Sequence, residues 1–257
     1  MSKKIKILTI SDMPLSPSGV GTQTRYICEA LLNTGNFKVI SFGGAIKHPN
    51  YNPIKTEQHG DDWIIFPVDG YGNQEMLRSI LRQEKPDILW FMTDPRFWGW
   101  LWSMENEIRP LLPMVYYHVW DNYPYPTYNK KFYDSNDFVA CISKVTADIV
   151  KTVSPDTRSE YVPHAVNGEI FKPADGEDLE SFKKQVFGDH YDPDKFVFFW
   201  NNRNARRKQS GSLIYWFNDF LKKVGKDKAS LVMHTEVKDT NGQDLEKIIN
   251  ELGLTNG

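Results

Sequence analysis

The chain has 257 residues, of which 40% are hydrophobic and 25% charged, a composition that allows a sizeable core in one large domain or two small ones. Its 31 Lys and Arg against 33 Asp and Glu give a formal net charge of -2, which excludes a global attraction to nucleic acid or to an anionic membrane. Two cysteines, Cys28 and Cys141, lie far apart in apolar runs, the usage of reduced buried thiols rather than a disulfide framework or a zinc site.

The N-terminus enters a strand-like run directly, without the apolar core of a signal peptide, and no apolar run approaches the roughly 20 residues that a membrane-spanning helix needs. A cytoplasmic protein without a transmembrane segment is expected.

Short β-branched runs alternate with helical patterns, as in a parallel sheet covered on both faces. Residues 5–10 read as the first strand, 22–33 as a helix with Tyr26, Ile27, Ala30 and Leu31 inward and Gly35 as its C-cap, and 37–42 as the second strand. Strand 63–66, helix 74–83 (Met76, Leu77, Ile80 and Leu81 inward, stopped by Pro86) and strand 88–92 follow. Residues 113–119, 138–143 and 161–162 read as three more strands, with a helix at 144–153. These elements make one doubly wound, Rossmann-like domain over residues 1–172.

Residues 173–195 are polar and acidic, with a helix at 179–186, and read as a linker. A fresh strand at 196–201, a helix at 210–224, a strand at 230–235 and a helix at 244–252 begin a second Rossmann-like domain over residues 196–257. Two strands and two helices cannot close a doubly wound sheet, so this domain is expected to be incomplete.

Three segments carry chemistry. Ser16-Pro17-Ser18-Gly19-Val20-Gly21-Thr22-Gln23 joins the first strand to the first helix, where backbone amides attract a phosphate; the same glycines also serve a tight turn needing positive φ. A dinucleotide site would need a third small residue and an acidic residue about 20 positions on, which this loop lacks. Asn201-Asn202-Arg203-Asn204-Ala205-Arg206-Arg207-Lys208 follows the strand at 196–201, so its cations stand at a strand's carboxyl end, either to hold a diphosphate or as a solvated basic turn.

Tyr116-Tyr117-His118-Val119-Trp120-Asp121-Asn122-Tyr123-Pro124-Tyr125-Pro126 is the third segment. It offers a histidine near an aspartate for proton work, and rings that suit a sugar face or an apolar acceptor. A structural histidine in a stiff loop is the plain alternative. His164 is ambiguous in the same way.

In this order the segments resemble the retaining glycosyltransferases of the GT-B fold, particularly the large family 4 group, over nearly the whole chain. Ser18-Gly19-Val20-Gly21 resembles the family's glycine loop, His118 its active-site histidine with Asp121 nearby, and Val162-Pro163-His164-Ala165-Val166-Asn167-Gly168-Glu169-Ile170-Phe171-Lys172-Pro173 its Pro-His-Gly-Val-Asp segment. Arg203 and Lys208 fall where the family clamps the donor diphosphate. Asn202 stands where a glycine is usual, and Gln209 replaces the glycine after the lysine.

The resemblance implies transfer of a sugar from a nucleotide-diphosphate sugar to an acceptor hydroxyl, without a metal and with retention. Gly19, Gly21, Arg203 and Lys208 would bind the donor, His118 and Asp121 would be catalytic, and Trp120, Tyr123 and Tyr125 would line an acceptor pocket. The co-substrate is the nucleotide sugar, no other cofactor is called for, and the acceptor is a glycan, a lipid, a small molecule or a modified nucleobase. The family's later Gly-Phe-Gly loop and glutamate pair have no match here, so a chain cut within its second domain, and inactive or weak alone, is expected. The competing expectation is a non-catalytic binding module, or a subunit that needs a partner to complete its site.

Overall fold

Strand β1 (Ile5–Asp12) is buried continuously from Ile7 to Ser11, the pattern of a strand covered on both faces. The computed structural model describes residues 3–120 and 122–254. It divides into two units, Met1–Asn167 and Gly168–Gly257.

In the first unit β1 leads to α1 (Gly19–Asn33) and β2 (Phe37–Gly44), then to a two-residue β3 (Ile54–Lys55), β4 (Trp63–Pro67) and α2 (Gln74–Glu84). The chain then returns through β5 (Ile88–Met92), α3 (Gly99–Trp102), α4 (Glu105–Ile108), β6 (Met114–His118), α5 (Lys130–Asp134), β7 (Phe138–Cys141), α6 (Lys144–Val153) and β8 (Ser159–Tyr161). The eight strands lie in the order β3-β4-β2-β1-β5-β6-β7-β8, all parallel except β3 against β4. The direction of winding reverses between β1 and β5, and the carboxyl ends of those strands flank the crevice where ligands of open α/β sheets bind.

Local chemistry sets the helix ends. Ser18, Asn73 and Ser143 are extended N-caps whose side chains accept from the amides of Gly21, Met76 and Thr146. Thr34 caps the end of α1, one residue before the expected cap Gly35, which follows at φ 75°. Helix α1 buries Gly21, Thr24, Cys28 and Leu32, a stripe offset from the expected one: Ile27 and Leu31 flank it and Ala30 is exposed. Thr24 fits the core because its hydroxyl bonds the carbonyl of Val20 and the hydroxyl of Ser11.

Many of the aromatic residues between Trp90 and Tyr133 are core. Trp98, Tyr116 and Tyr133 are fully buried, Phe91 stacks on Tyr116 at 5.0 Å and Trp102 on Phe132 at 4.6 Å. Both cysteines are buried and free, and desolvation pushes the Cys28 thiol up to about 12.

The second unit holds α7 (Gly176–Phe187), a parallel pair of β9 (Phe196–Asn201) and β10 (Ala229–His234), α8 (Ser210–Val224) and α9 (Leu245–Glu251). The division after Asn167 differs from the expected boundary at 172, and the stretch expected as a linker carries α7 within this unit. Ile214, Leu221, Ala229 and Leu245 form its buried apolar side, while Phe196, Phe198 and Phe199 on β9 remain exposed. Among the described residues no helix is long and apolar enough to cross a membrane.

Candidate functional site

At the carboxyl end of β1, Ser18 Oγ accepts from the Gly21 amide at 2.9 Å and donates to Asp12 Oδ2 at 2.8 Å. Tyr71 donates its hydroxyl to Asp12 Oδ1 at 2.9 Å. The positive end of α1 thus already faces a carboxylate from its own chain. A phosphate held by Gly19 and Gly21 would share this end of the helix with the Asp12 carboxylate.

Gly21 is glycine for packing reasons. A Cβ there would lie 2.5 Å from the Met13 carbonyl oxygen, whereas one on Gly19 would meet nothing within 4 Å. Asp12 is the residue that reading the loop alone misses, although it ends the strand that the loop follows.

His118, at the carboxyl end of β6, is closed off from solvent at 0% exposure. Tyr116 donates its hydroxyl to the Thr93 carbonyl at 2.8 Å, so its oxygen accepts from His118 Nδ1–H at 3.1 Å. His118 Nε2 then carries no proton and accepts from the Tyr133 hydroxyl at 2.8 Å, whose oxygen takes the Asn129 amide at 3.4 Å. Desolvation lowers the imidazole pKa to about 3, in keeping with that neutral tautomer. Both ring nitrogens of His118 are engaged inside the core, by Tyr116 and Tyr133.

The relay ends on Thr93, a β-branched residue at φ 154° directly after β5, on the rim of the crevice. Asp121 lies outside the described residues. On the loop after β6, Tyr123 is 89% exposed and meets Tyr125 edge to face at 6.2 Å. Trp120 is half-buried, with an unpartnered Nε1 and a carbonyl that accepts from Thr146. Tyr123 and Tyr125 come together, whereas the ring contacts of His118 are with Tyr116 and Tyr133.

His164 stacks on Tyr117 at 5.4 Å, and burial lowers its pKa. Tyr117 donates to the Val162 carbonyl at 2.5 Å, and Gln23 clasps Ala165 at both its carbonyl (2.6 Å) and its amide (3.1 Å). Residues 162–165 are docked on α1 and β6 by these groups.

In the second unit the basic loop leaves β9 at Asn201, which pairs with His234 at 3.0 Å. Arg203 bonds Asp239 side-on, Nε to Oδ2 at 2.8 Å and Nη2 to Oδ1 at 3.3 Å. Asn204 is fully buried. Its Nδ2 reaches the carbonyls of Glu236 (3.1 Å) and Gln243 (2.6 Å), and its Oδ1 accepts from Ser210 Oγ at 2.6 Å.

A 3-10 turn, Arg206–Lys208, brings Lys208 to the start of α8, and Gln209 between them is left-handed at φ 55°. That geometry favours glycine, the residue the resembled family has at this position. A groove of about 900 Å³ runs along α8, β10 and α9, past Leu231, Met233 and Leu245. Neither Arg203 nor Lys208 lines it.

No protein-family model matches the chain, and no curated protein does. Solved structures do match, among them the apo structure of OtsA (TM-score 0.61) and OtsA described as trehalose-6-phosphate synthase (TM-score 0.60). Each is 12% identical, with 97% of this chain and 69% of that chain covered. The fold is OtsA-like. At this identity the likeness establishes the fold alone: a GT-B-like α/β chain with a Rossmann-like first unit.

On this OtsA-like fold no group of three or more metal-binding side chains occurs among the described residues. Contrary to the expectation that the chain has no Asp-x-Asp spacing, one occurs at Asp192-Pro193-Asp194, in a turn where the Asp194 amide bonds Asp192 Oδ1 at 3.0 Å.

Proposed function

We propose that the chain is a glycosyltransferase that moves a sugar from a nucleotide-diphosphate sugar to an acceptor hydroxyl. Retention of configuration and independence from a metal are part of the proposal. The observation that carries it is the loop from Arg203 to Lys208, placed between the carboxyl end of β9 and the start of α8 on a fold like that of trehalose-6-phosphate synthase.

Loss of a nucleoside diphosphate builds negative charge on the leaving oxygens, and cations fixed beforehand stabilise it without reorganising. Of the five N–H donors of an arginine, Asp239 engages one on Nε and one on Nη2, which leaves the end of the guanidinium open for phosphate oxygens. Lys208 adds a compact charge, and the positive end of the 15-residue α8 adds a partial one. On the acceptor side, the exposed Tyr123 and half-buried Tyr125 offer ring faces to a sugar or an apolar group. His118 acts at one remove, holding the backbone of Thr93 through Tyr116.

The test is to change Arg203 and Lys208 to alanine and measure donor hydrolysis, transfer and calorimetric binding with uridine, guanosine and adenosine diphosphate sugars. Loss of binding of about tenfold or more per cation is expected, from about 1.5–3 kcal/mol for each charge-assisted bond. Unchanged binding and turnover would overturn the donor assignment.

A further inference from the structure

The arginine of the basic loop is paired within its own chain. Its side chain is 65% exposed, yet its inner edge is held by a carboxylate that is only 9% exposed. That carboxylate is itself fixed, because Asp239 Oδ1 also accepts the Asn241 amide at 2.8 Å, and the Asp239 carbonyl accepts the Gly242 amide at 2.9 Å.

The turn from Asp239 to Gly242 is in turn built onto the basic loop. The Arg206 amide donates to the Asn241 carbonyl at 3.1 Å, and a Cβ on Gly242 would fall 1.8 Å from the Asn204 carbonyl oxygen. Backbone contact this close holds the turn that carries Asp239 against the loop that carries Arg203. The pair holds the arginine pKa up and the aspartate pKa down, each through this hydrogen bond.

We infer that Asp239 is a positioning residue for donor binding: side-on pairing fixes the Arg203 guanidinium so that its end fork presents to the diphosphate. The inference rests on the diphosphate reading above. Two effects oppose each other at this carboxylate. Its charge repels the incoming phosphates, but at the exposed end of the guanidinium that repulsion is screened by water. Its hydrogen bonds remove rotamer freedom that an unpaired arginine would lose on binding, and an arginine has much of it to lose. Positioning therefore outweighs repulsion.

Calorimetry with UDP, GDP and ADP on the wild-type chain, Arg203→Ala, Asp239→Asn and Asp239→Glu tests this, with circular dichroism as the check on folding. Where activity is present, kcat and KM are followed separately. For the tightest of the three diphosphates, Arg203→Ala is expected to weaken binding by tenfold or more. Asp239→Asn should weaken it about three- to tenfold, with KM rising more than kcat falls, and Asp239→Glu should recover part of the loss.

Equal or tighter binding by Asp239→Asn, with Arg203→Ala still impaired, would overturn the positioning role and leave the diphosphate reading standing. No effect of Arg203→Ala, or no binding by the wild type, would overturn both. Should Asp239→Asn not fold, Asn241→Pro gives the second variant, since it removes the amide that braces the Asp239 carboxylate, with circular dichroism again the check on the turn it stiffens. It should weaken binding in the same direction, and unchanged binding there would overturn the inference.

Discussion

Ser18 Oγ lies 2.8 Å from Asp12 Oδ2, so α1 begins against a carboxylate delivered by the strand that precedes it. The other oxygen of that carboxylate takes the Tyr71 hydroxyl. Replacing Asp12 by alanine strands both donors at a half-buried position, a loss of about 2 kcal/mol, and asparagine should cost about 1 kcal/mol because it keeps one acceptor. Urea unfolding of the two variants measures this. Equal stability of all three proteins would show that the carboxylate does not brace the helix.

The two glycines of the same loop separate packing from ligand contact. Gly21→Ala puts a methyl 2.5 Å from backbone oxygen and should destabilise by about 1–3 kcal/mol. Gly19→Ala meets open space in the first turn of α1 and should be neutral, or stabilising by up to about 1 kcal/mol. If Gly19→Ala leaves stability intact and still lowers donor binding, the loop regains the ligand role that Asp12 argues against.

His118 gives the molecule an acid-sensitive point. Its folded pKa of about 3 lies below the value of about 6.5 for a free imidazole, so the unfolded chain takes up a proton first as pH falls. The contribution is complete above about pH 6.5 and is lost toward pH 3, at a slope of about 1.4 kcal/mol per pH unit. His118→Gln removes the titration, so its stability should fall less steeply between about pH 6 and pH 4 than that of the wild type. Parallel slopes in denaturant titrations would place the acid sensitivity elsewhere.

The strands and long helices were legible because their signals are local. The helix 144–153 and the apolar strand 88–92 fall at the same residues in the structure, whereas Ser143, read as the end of a strand, is the N-cap of that helix. Strand β3 escaped notice, since two residues against an edge carry no period. The short helices between residues 99 and 134 escaped because four or five residues are too few to show a helical period.

At the candidate site, the presence of cations was readable and their partners were not. Asp239 lies 36 residues from Arg203, and Gln243 lies 39 from Asn204. A histidine in a motif likewise says nothing of its burial, which for His118 comes from rings on β6 and α5.

Gln209 holds a left-handed conformation in the turn before α8, at φ 55°. Such a conformation costs a residue with a Cβ about 1–2 kcal/mol, so Gln209→Gly should raise stability by up to about 1 kcal/mol after the glycine's larger unfolded-state entropy is subtracted. The melting temperature measures it. A drop on substitution would mean that the glutamine side chain makes a contribution which its backbone strain conceals.

Asn204 ties together the two loops that carry Arg203 and Asp239, and it does so with no exposure to water. Asn204→Ala leaves the Gln243 carbonyl and the Ser210 hydroxyl without that partner, a cost of about 2–4 kcal/mol. Asn204→Asp should be worse at neutral pH, because an acceptor-only carboxylate would face the carbonyls of Glu236 and Gln243, and the gap to alanine should narrow as acid protonates it. Both variants should loosen the loop at 236–243 to limited proteolysis and weaken nucleoside diphosphate binding, although Asn204 is too buried to touch a ligand. Preserved binding in a variant with a loosened loop would show that the geometry of Arg203 does not depend on this asparagine.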